Sequence, residues 1–197
     1  MPAIFTEERK KQIRKQLLDD GRKMLLKQGI TKMNLNELAR KAGIAKGTFY
    51  HFFPSKQEFI LEIIHSYQNE KIEELKQLVI NKQEKLTLEE TKMWYKTLYR
   101  KQENPILHFQ NKDLQWLLER IPVDQIFRPE VDIEVGKLIL SMIDGVRDDI
   151  DYAVLANFPK MMSFAIENKE FLHEEALSKN IELIIDCMYR YIKGEVG

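Results

Sequence analysis

The chain has 197 residues, 44% apolar and 31% charged, with 8 Gly and 6 Pro. That is enough for one domain or for a small module joined to a larger one, and it excludes collagen-like, disordered and low-complexity chains. The single cysteine, Cys187, excludes an intrachain disulfide framework and a Cys-rich zinc site. Neither a secretory leader nor a membrane span is expected, so the cytoplasm is the predicted location. Net charge is zero, yet residues 1–56 carry 13 Lys/Arg against 5 Asp/Glu and residues 57–197 carry 18 against 26. The two parts are therefore +8 and −8, a basic end suited to a polyanion and an acidic remainder.

Apolar residues recur at helical spacing nearly throughout, and period-2 alternation is almost absent, which predicts an all-α protein. The first helix spans about Glu7 to Lys27, with Ile13, Leu17, Leu18, Met24 and Leu25 inward and Gly29 as its stop. A short second helix starts at Asn34, a good N-cap, with Glu37 placed to reach back to the cap's own N–H, and it ends at Gly43. A short third helix, Lys46 to Phe52, stops before Pro54, and Ser55 caps a long fourth helix through Tyr67 and beyond. About five longer helices follow, with breaks expected at Asn104–Pro105, Ile121–Pro122, Arg128–Pro129 and Asn157–Pro159.

Two short helices joined at a glycine have the dimensions of a helix-turn-helix. Ala39 is small where the two must cross closely, and Gly43 sits where the turn needs a positive φ. With Leu38, Ala42, Ile44, Phe49 and Phe52 inward, the third helix projects Lys46, Thr48, Tyr50 and His51 outward. A cation, a hydroxyl, a phenol and an imidazole are phosphate and base-edge donors. The basic run Arg9, Lys10, Lys11, Arg14 and Lys15 either tracks phosphates or forms a solvated helix face.

The run GITKMNLNELARKAGIAKGTFYHFFPSKQEF, residues 29–59, resembles the DNA-binding domain of TetR-family transcriptional regulators, most specifically in KGTFYHFFPSK. The close match covers roughly residues 7–67. The resemblance implies an N-terminal three-helix helix-turn-helix DNA-binding domain, assigned to residues 1–56, and a larger helical ligand-binding and dimerisation domain over 57–197. It also implies a homodimer on palindromic double-stranded operator DNA, released by a small-molecule effector, with no cofactor, no enzymatic activity and no membrane partner. Carried over by position, Lys46, Gly47, Thr48, Tyr50 and His51 contact DNA, Lys56 binds phosphate and Asn34 adds a phosphate contact. Met33 and Ala45 depart from the family pattern, where Thr and Ser or Thr are usual, and each removes a phosphate contact.

The middle of the chain is rich in large side chains. Trp94, Tyr95, Tyr99, His108, Phe109, Trp116, Met142, Phe158 and Met162 are the candidate effector-binding set, with plain core as the competing interpretation. His108, Gln115 and the acidic residues Asp144, Asp148 and Asp149 are the polar candidates to orient a ligand, against a solvated turn after Gly145. On the last helix Leu177, Ile181, Ile184, Ile185 and Met188 form a stripe that is either a dimer interface, with Ile133 to Val146 as its packing partner, or intramolecular core. Cys187 lies in that apolar run and is expected to be a buried thiol.

Two alternatives use other features. Glu62–His65 and Glu170–His173 have the Glu-x-x-His spacing of carboxylate-bridged metal centres, which would suit an all-α metal-dependent enzyme, although the first pair falls opposite the apolar stripe of its helix. A helical adaptor whose basic module binds an acidic partner is the other.

Overall fold

The computed structural model describes residues 5–99, 103–105, 107, 109, 111–126 and 128–196. Among them regular structure is helical, and the β-type pairing is an isolated bridge between Leu86 and Ile143.

Helix α1 (Glu7–Gln28) begins where the Thr6 hydroxyl accepts from the Arg9 N–H, and it ends at Gly29, φ 76°, whose N–H donates to the Leu25 carbonyl. In α2 (Leu35–Lys41) the Asn34 side chain accepts from the Asn36 and Glu37 N–H groups. Glu37 does not close the expected capping box, because its carboxylate pairs with Lys41 one turn on, at 3.0 Å. Gly43, φ 69°, makes the turn into α3 (Lys46–Phe52), and Ser55 caps α4 (Lys56–Lys82) by accepting from the Glu58 N–H. These four helices share one core. Ile13, Leu17, Leu25, Leu38, Phe49, Phe59 and Ile60 are fully buried in it. Phe49, Phe53 and Phe59 meet edge-on or tilted at 4.7–5.5 Å between ring centroids, the geometry aromatic quadrupoles favour.

The body of the chain comprises α5 (Leu88–Thr97), α6 (Asn111–Leu118), α7 (Val123–Ile126), α8 (Pro129–Ser141), α9 (Tyr152–Glu167), a 3-10 turn at Lys169–Phe171 and α10 (Glu174–Lys193). A capping box of Thr87 and Glu90 starts α5. The expected break at Asn157–Pro159 does not occur, and Pro159 lies inside α9. Proline there costs one helical hydrogen bond, to the Leu155 carbonyl. That helix continues because Leu155, Phe158 and Met162, on either side, pack into a second core with Leu140, Ile143, Ile185 and Met188. Helix α9 packs against both α8 and α10, so within the chain the last helix pairs chiefly with α9 and meets the segment Ile133 to Val146 through Leu140, Ile143 and Val146 in the second core. A third cluster joins Leu75, Leu86 and Trp94 beside Met142.

The α10 stripe divides. Leu177, Ile185 and Met188 are buried, the last two in the chain's own second core, with Ile181 and Ile184 packed against its edge. Cys187 is exposed, contrary to expectation. The helix turns its inward face through Ile185, Met188, Tyr189 and Ile192, and position 187 falls on the opposite side.

Candidate nucleic-acid interface

Phe49 fixes how α3 presents itself. Its fully buried ring, edge-on to Tyr50 at 5.6 Å, anchors the inner face. Lys46, Gly47, Tyr50 and His51 are exposed on the other side, Tyr50 by 40%, and Thr48 is half-buried at the margin. A Cβ added at Gly47 would meet nothing within 4 Å. Internal packing therefore does not require glycine at 47, and its bare backbone leaves room for an approaching ligand. Ala45 precedes the helix without a side-chain cap, while Asn34 is exposed and spends its side-chain oxygen on capping α2.

Four basic residues, Lys10, Arg14, Lys15 and Lys56, are engaged with other groups of the chain. The Arg14 guanidinium donates to the Phe52 carbonyl at the end of α3 (3.0 Å), lies 4.6 Å from the Phe53 ring centroid and pairs with Glu62 at 3.0 Å. It ties α1 to the C-terminus of α3 and to α4. Within the same run Lys10 pairs with Glu7 and Lys15 with Asp19, as on a solvated helix face.

Lys56, at the start of α4, donates to the Met33 carbonyl at 3.2 Å and sits 5.4 Å from the Trp116 ring centroid. Burial lowers its pKa, and the nearby Asp113 carboxylate opposes that shift. Asp113 itself is fully buried on α6 and accepts from the Ile30 N–H (2.9 Å) and the Thr31 N–H (3.3 Å), in the turn after α1. Residues of the body thus reach into the N-terminal module. Phe109, Leu117 and Ile121 are buried in its core, and Trp116 packs against it.

The candidate effector residues do not all come together, although Tyr95 packs on both the second and the third cluster, with its ring centroid 6.4 Å from that of Trp94 and 5.6 Å from that of Tyr99. Phe109 and Trp116 belong to the first core, Trp94 and Met142 to the third, and Tyr95, Tyr99, Phe158 and Met162 to the second; His108 lies outside the described residues. The Tyr95 and Tyr99 hydroxyls are 3.3 Å apart, and burial pushes both phenols up. The Trp94 indole N–H, buried in the third core, has no acceptor among the described residues. Gln115 is exposed and donates to Glu119, and Asp149 grips Arg147 through two hydrogen bonds, so these groups do not line an aromatic cage. Asp144 and Asp148 are exposed.

Neither Glu-x-x-His pair becomes a metal centre. Glu62 is taken by Arg14, His173 is solvent-exposed, and among the described residues no three His, Cys, Asp or Glu side chains converge.

Residues 17–63 match the model of the bacterial regulatory proteins, tetR family. Over that segment the chain is similar to the tetR family. The HTH-type transcriptional repressor NemR of Escherichia coli K12 is 39% identical over 67 residues, which cover 32% of this chain and 34% of NemR. The chain therefore matches about a third of the length of this curated relative. Over nearly the whole chain the likeness is one of fold. The reduced form of Escherichia coli NemR superposes with a TM-score of 0.56 at 17% identity, covering 94% of this chain and 97% of that one. A protein solved as the molecular basis for control of antibiotic production by bacterial hormones superposes at 0.60 with 16% identity, covering 90% and 96%. The all-α architecture, a small N-terminal helical module followed by a larger helical body, is thus shared with these proteins. No helix among the described residues is long and apolar enough to cross a membrane.

Proposed function

We propose that the chain is a DNA-binding transcriptional regulator, acting as a repressor, that sits on palindromic operator DNA as a homodimer and is released by a small-molecule effector. The DNA-binding head comprises residues 1–56 and the effector and dimerisation body residues 57–197, with α4 continuing from one into the other. The observation that carries this proposal is the two-sided α3: Phe49 locks one face into the core, and Lys46, Gly47, Tyr50 and His51 present donors and bare backbone on the other. Lys46 meets phosphate, Thr48, Tyr50 and His51 meet base edges or sugar–phosphate, and Asn34 and Lys56 flank them, Lys56 reaching phosphate only when it leaves the Met33 carbonyl and the Trp116 ring.

The dimer surface we assign lies on the faces of α9 and α10 that the monomer leaves uncovered. Met161 (53% exposed), Phe164 (66%) and Leu183 (54%) stand there, continued by Phe171 and Leu172. Exposed apolar side chains on two helices that pack together are what self-association covers. Ile181 and Ile184 edge this surface. For the effector we assign the region of Trp94, Tyr95, Tyr99, Phe158 and Met162, where an indole N–H without an acceptor among the described residues favours a ligand bearing a hydrogen-bond acceptor.

The test is fluorescence anisotropy of duplexes tiling the DNA upstream of the chain's own coding region against a scrambled duplex, over a series of salt concentrations. Tight, salt-dependent binding to one palindromic fragment by two chains is expected. Replacing Tyr50 should relax base preference, and replacing Lys46 should weaken all duplexes and flatten the salt slope by about one ion. Equal weak binding to every duplex would overturn the proposal.

A further inference from the structure

Helix α6 holds two groups one turn apart, Asp113 and Trp116, and both reach polar groups of the DNA-binding head. Asp113 is fully buried, and its Oδ1 accepts from the Ile30 and Thr31 N–H groups. A Cβ on Gly29, where φ is +76°, would come within 2.9 Å of the same carboxylate, so the turn is shaped around it. Trp116 offers its ring face to the Lys56 ammonium, and Arg120 lies 5.0 Å from the same ring centroid. Lys56 is thereby held by a carbonyl from the head and a ring from the body, with the Asp113 charge close by. An ammonium held in this way is not presented to a DNA phosphate at the same time.

We propose that Asp113 and Trp116 are positioning residues for DNA binding: they fix the turn after α1 and withhold Lys56 from phosphate, so that the seating of α6 sets how much positive charge the head offers to DNA. The inference rests on the regulator proposal above. Both contacts sit on one short helix, so a rearrangement of the body that moves α6 changes the turn and the ammonium together. The charge on Asp113 and its capping oxygen do separate jobs. Asp113→Asn keeps an oxygen that accepts from the Ile30 N–H but removes the attraction on Lys56, whereas Asp113→Ala removes both and leaves buried N–H groups unpaired.

The experiment compares the full-length wild-type chain, D113N, D113A and each Asp113 change in a Lys56→Met background. Anisotropy with the tightest duplex and with a scrambled duplex of equal length is read together with amide exchange at Ile30 and Thr31. D113N should bind both duplexes more tightly than wild type and steepen the salt slope by about one ion, its advantage growing about threefold as salt is lowered from about 200 to about 50 mM. Its Ile30 and Thr31 exchange should stay near wild type, the gain should vanish when Lys56 is Met, and D113A should exchange faster at both amides. Unchanged or weaker DNA binding by D113N, or a gain that persists without Lys56, would overturn the inference. Absence of duplex preference by the wild type overturns the regulator proposal instead, because the D113N salt slope on the scrambled duplex decides this inference by itself.

Discussion

The N-terminal head and the helical body use their apolar residues differently. In the head, Phe49, Phe53 and Phe59 turn inward together, and the exposed groups of α3 are polar apart from the phenol face of Tyr50. In the body the apolar residues divide among two cores, the head's own core and an uncovered surface where Phe164 and Phe171 are 66% and 79% exposed. A module that folds on its own inward face and acts through its outward face keeps folding and function on separate sides of one short helix. A helical body whose apolar residues divide among several clusters leaves part of its apolar surface unpaired within one chain.

Substitution at equally large aromatic side chains gives the sharpest contrast. Phe49→Ala should destabilise the chain by about 3–5 kcal/mol, because a fully buried ring leaves a cavity among Phe53, Tyr50 and Phe59. Thermal melting would show this together with lost duplex binding. Phe164→Ser should leave the monomer's stability within about 0.5 kcal/mol of the original while weakening self-association in sedimentation. A large loss of monomer stability from Phe164→Ser would break the comparison.

Next in size is the contact between α1 and α4. A Cβ at Gly21 would lie 2.5 Å from Phe59 Cζ and 2.8 Å from Ile63 Cδ1, so Gly21→Ala should cost about 1–3 kcal/mol by overpacking. Urea unfolding monitored by circular dichroism reads the shift of midpoint. No loss would mean that the head's core is looser than its ring contacts indicate.

Ala45→Ser acts in the opposite direction. It adds the missing cap to α3 and should raise stability by about 0.5–2 kcal/mol while restoring a hydroxyl beside Lys46. Higher melting temperature with tighter duplex binding is the expected pair of results; greater stability with weaker binding would show that the uncapped start of α3 serves DNA directly.

The smallest effect is in the body. Lys82, and then Thr87, hold the Glu90 carboxyl down to about 2 from its ordinary 4.5. A depressed acid stabilises the folded state above its unfolded value, and that contribution fades as pH falls from about 4.5 toward 2. Because Glu90 is solvent-exposed, Glu90→Gln should flatten the acid limb of the melting profile only slightly, with its small loss of stability seen at neutral pH and fading toward pH 2.

Local signals carried the head. Asn34 and Ser55 cap the helices they were expected to cap, Gly29 and Gly43 take positive φ, and the inward and outward residues of α3 follow from seven positions of sequence. Each is settled within about one helical turn. The body was less legible where partners lie far apart in sequence. Pro159 read as a break, yet packing of its neighbours carries α9 through it, and Cys187 read as buried, yet the phase of α10 turns it outward. A nine-residue aromatic and methionine set looked like one site, and the tertiary structure distributes its described members over three clusters.

By itself the sequence determined the helical class, the helix-turn-helix and the charge that suits it to DNA, since periodicity, caps and turn glycines are properties of neighbouring residues. Only the tertiary structure decided that Arg14 braces the end of α3, that Asp113 caps a turn 83 residues away in the chain and that Lys56 lies against Trp116. Such pairings depend on which helix faces meet, and that is fixed by burial summed over the whole chain rather than by any local pattern.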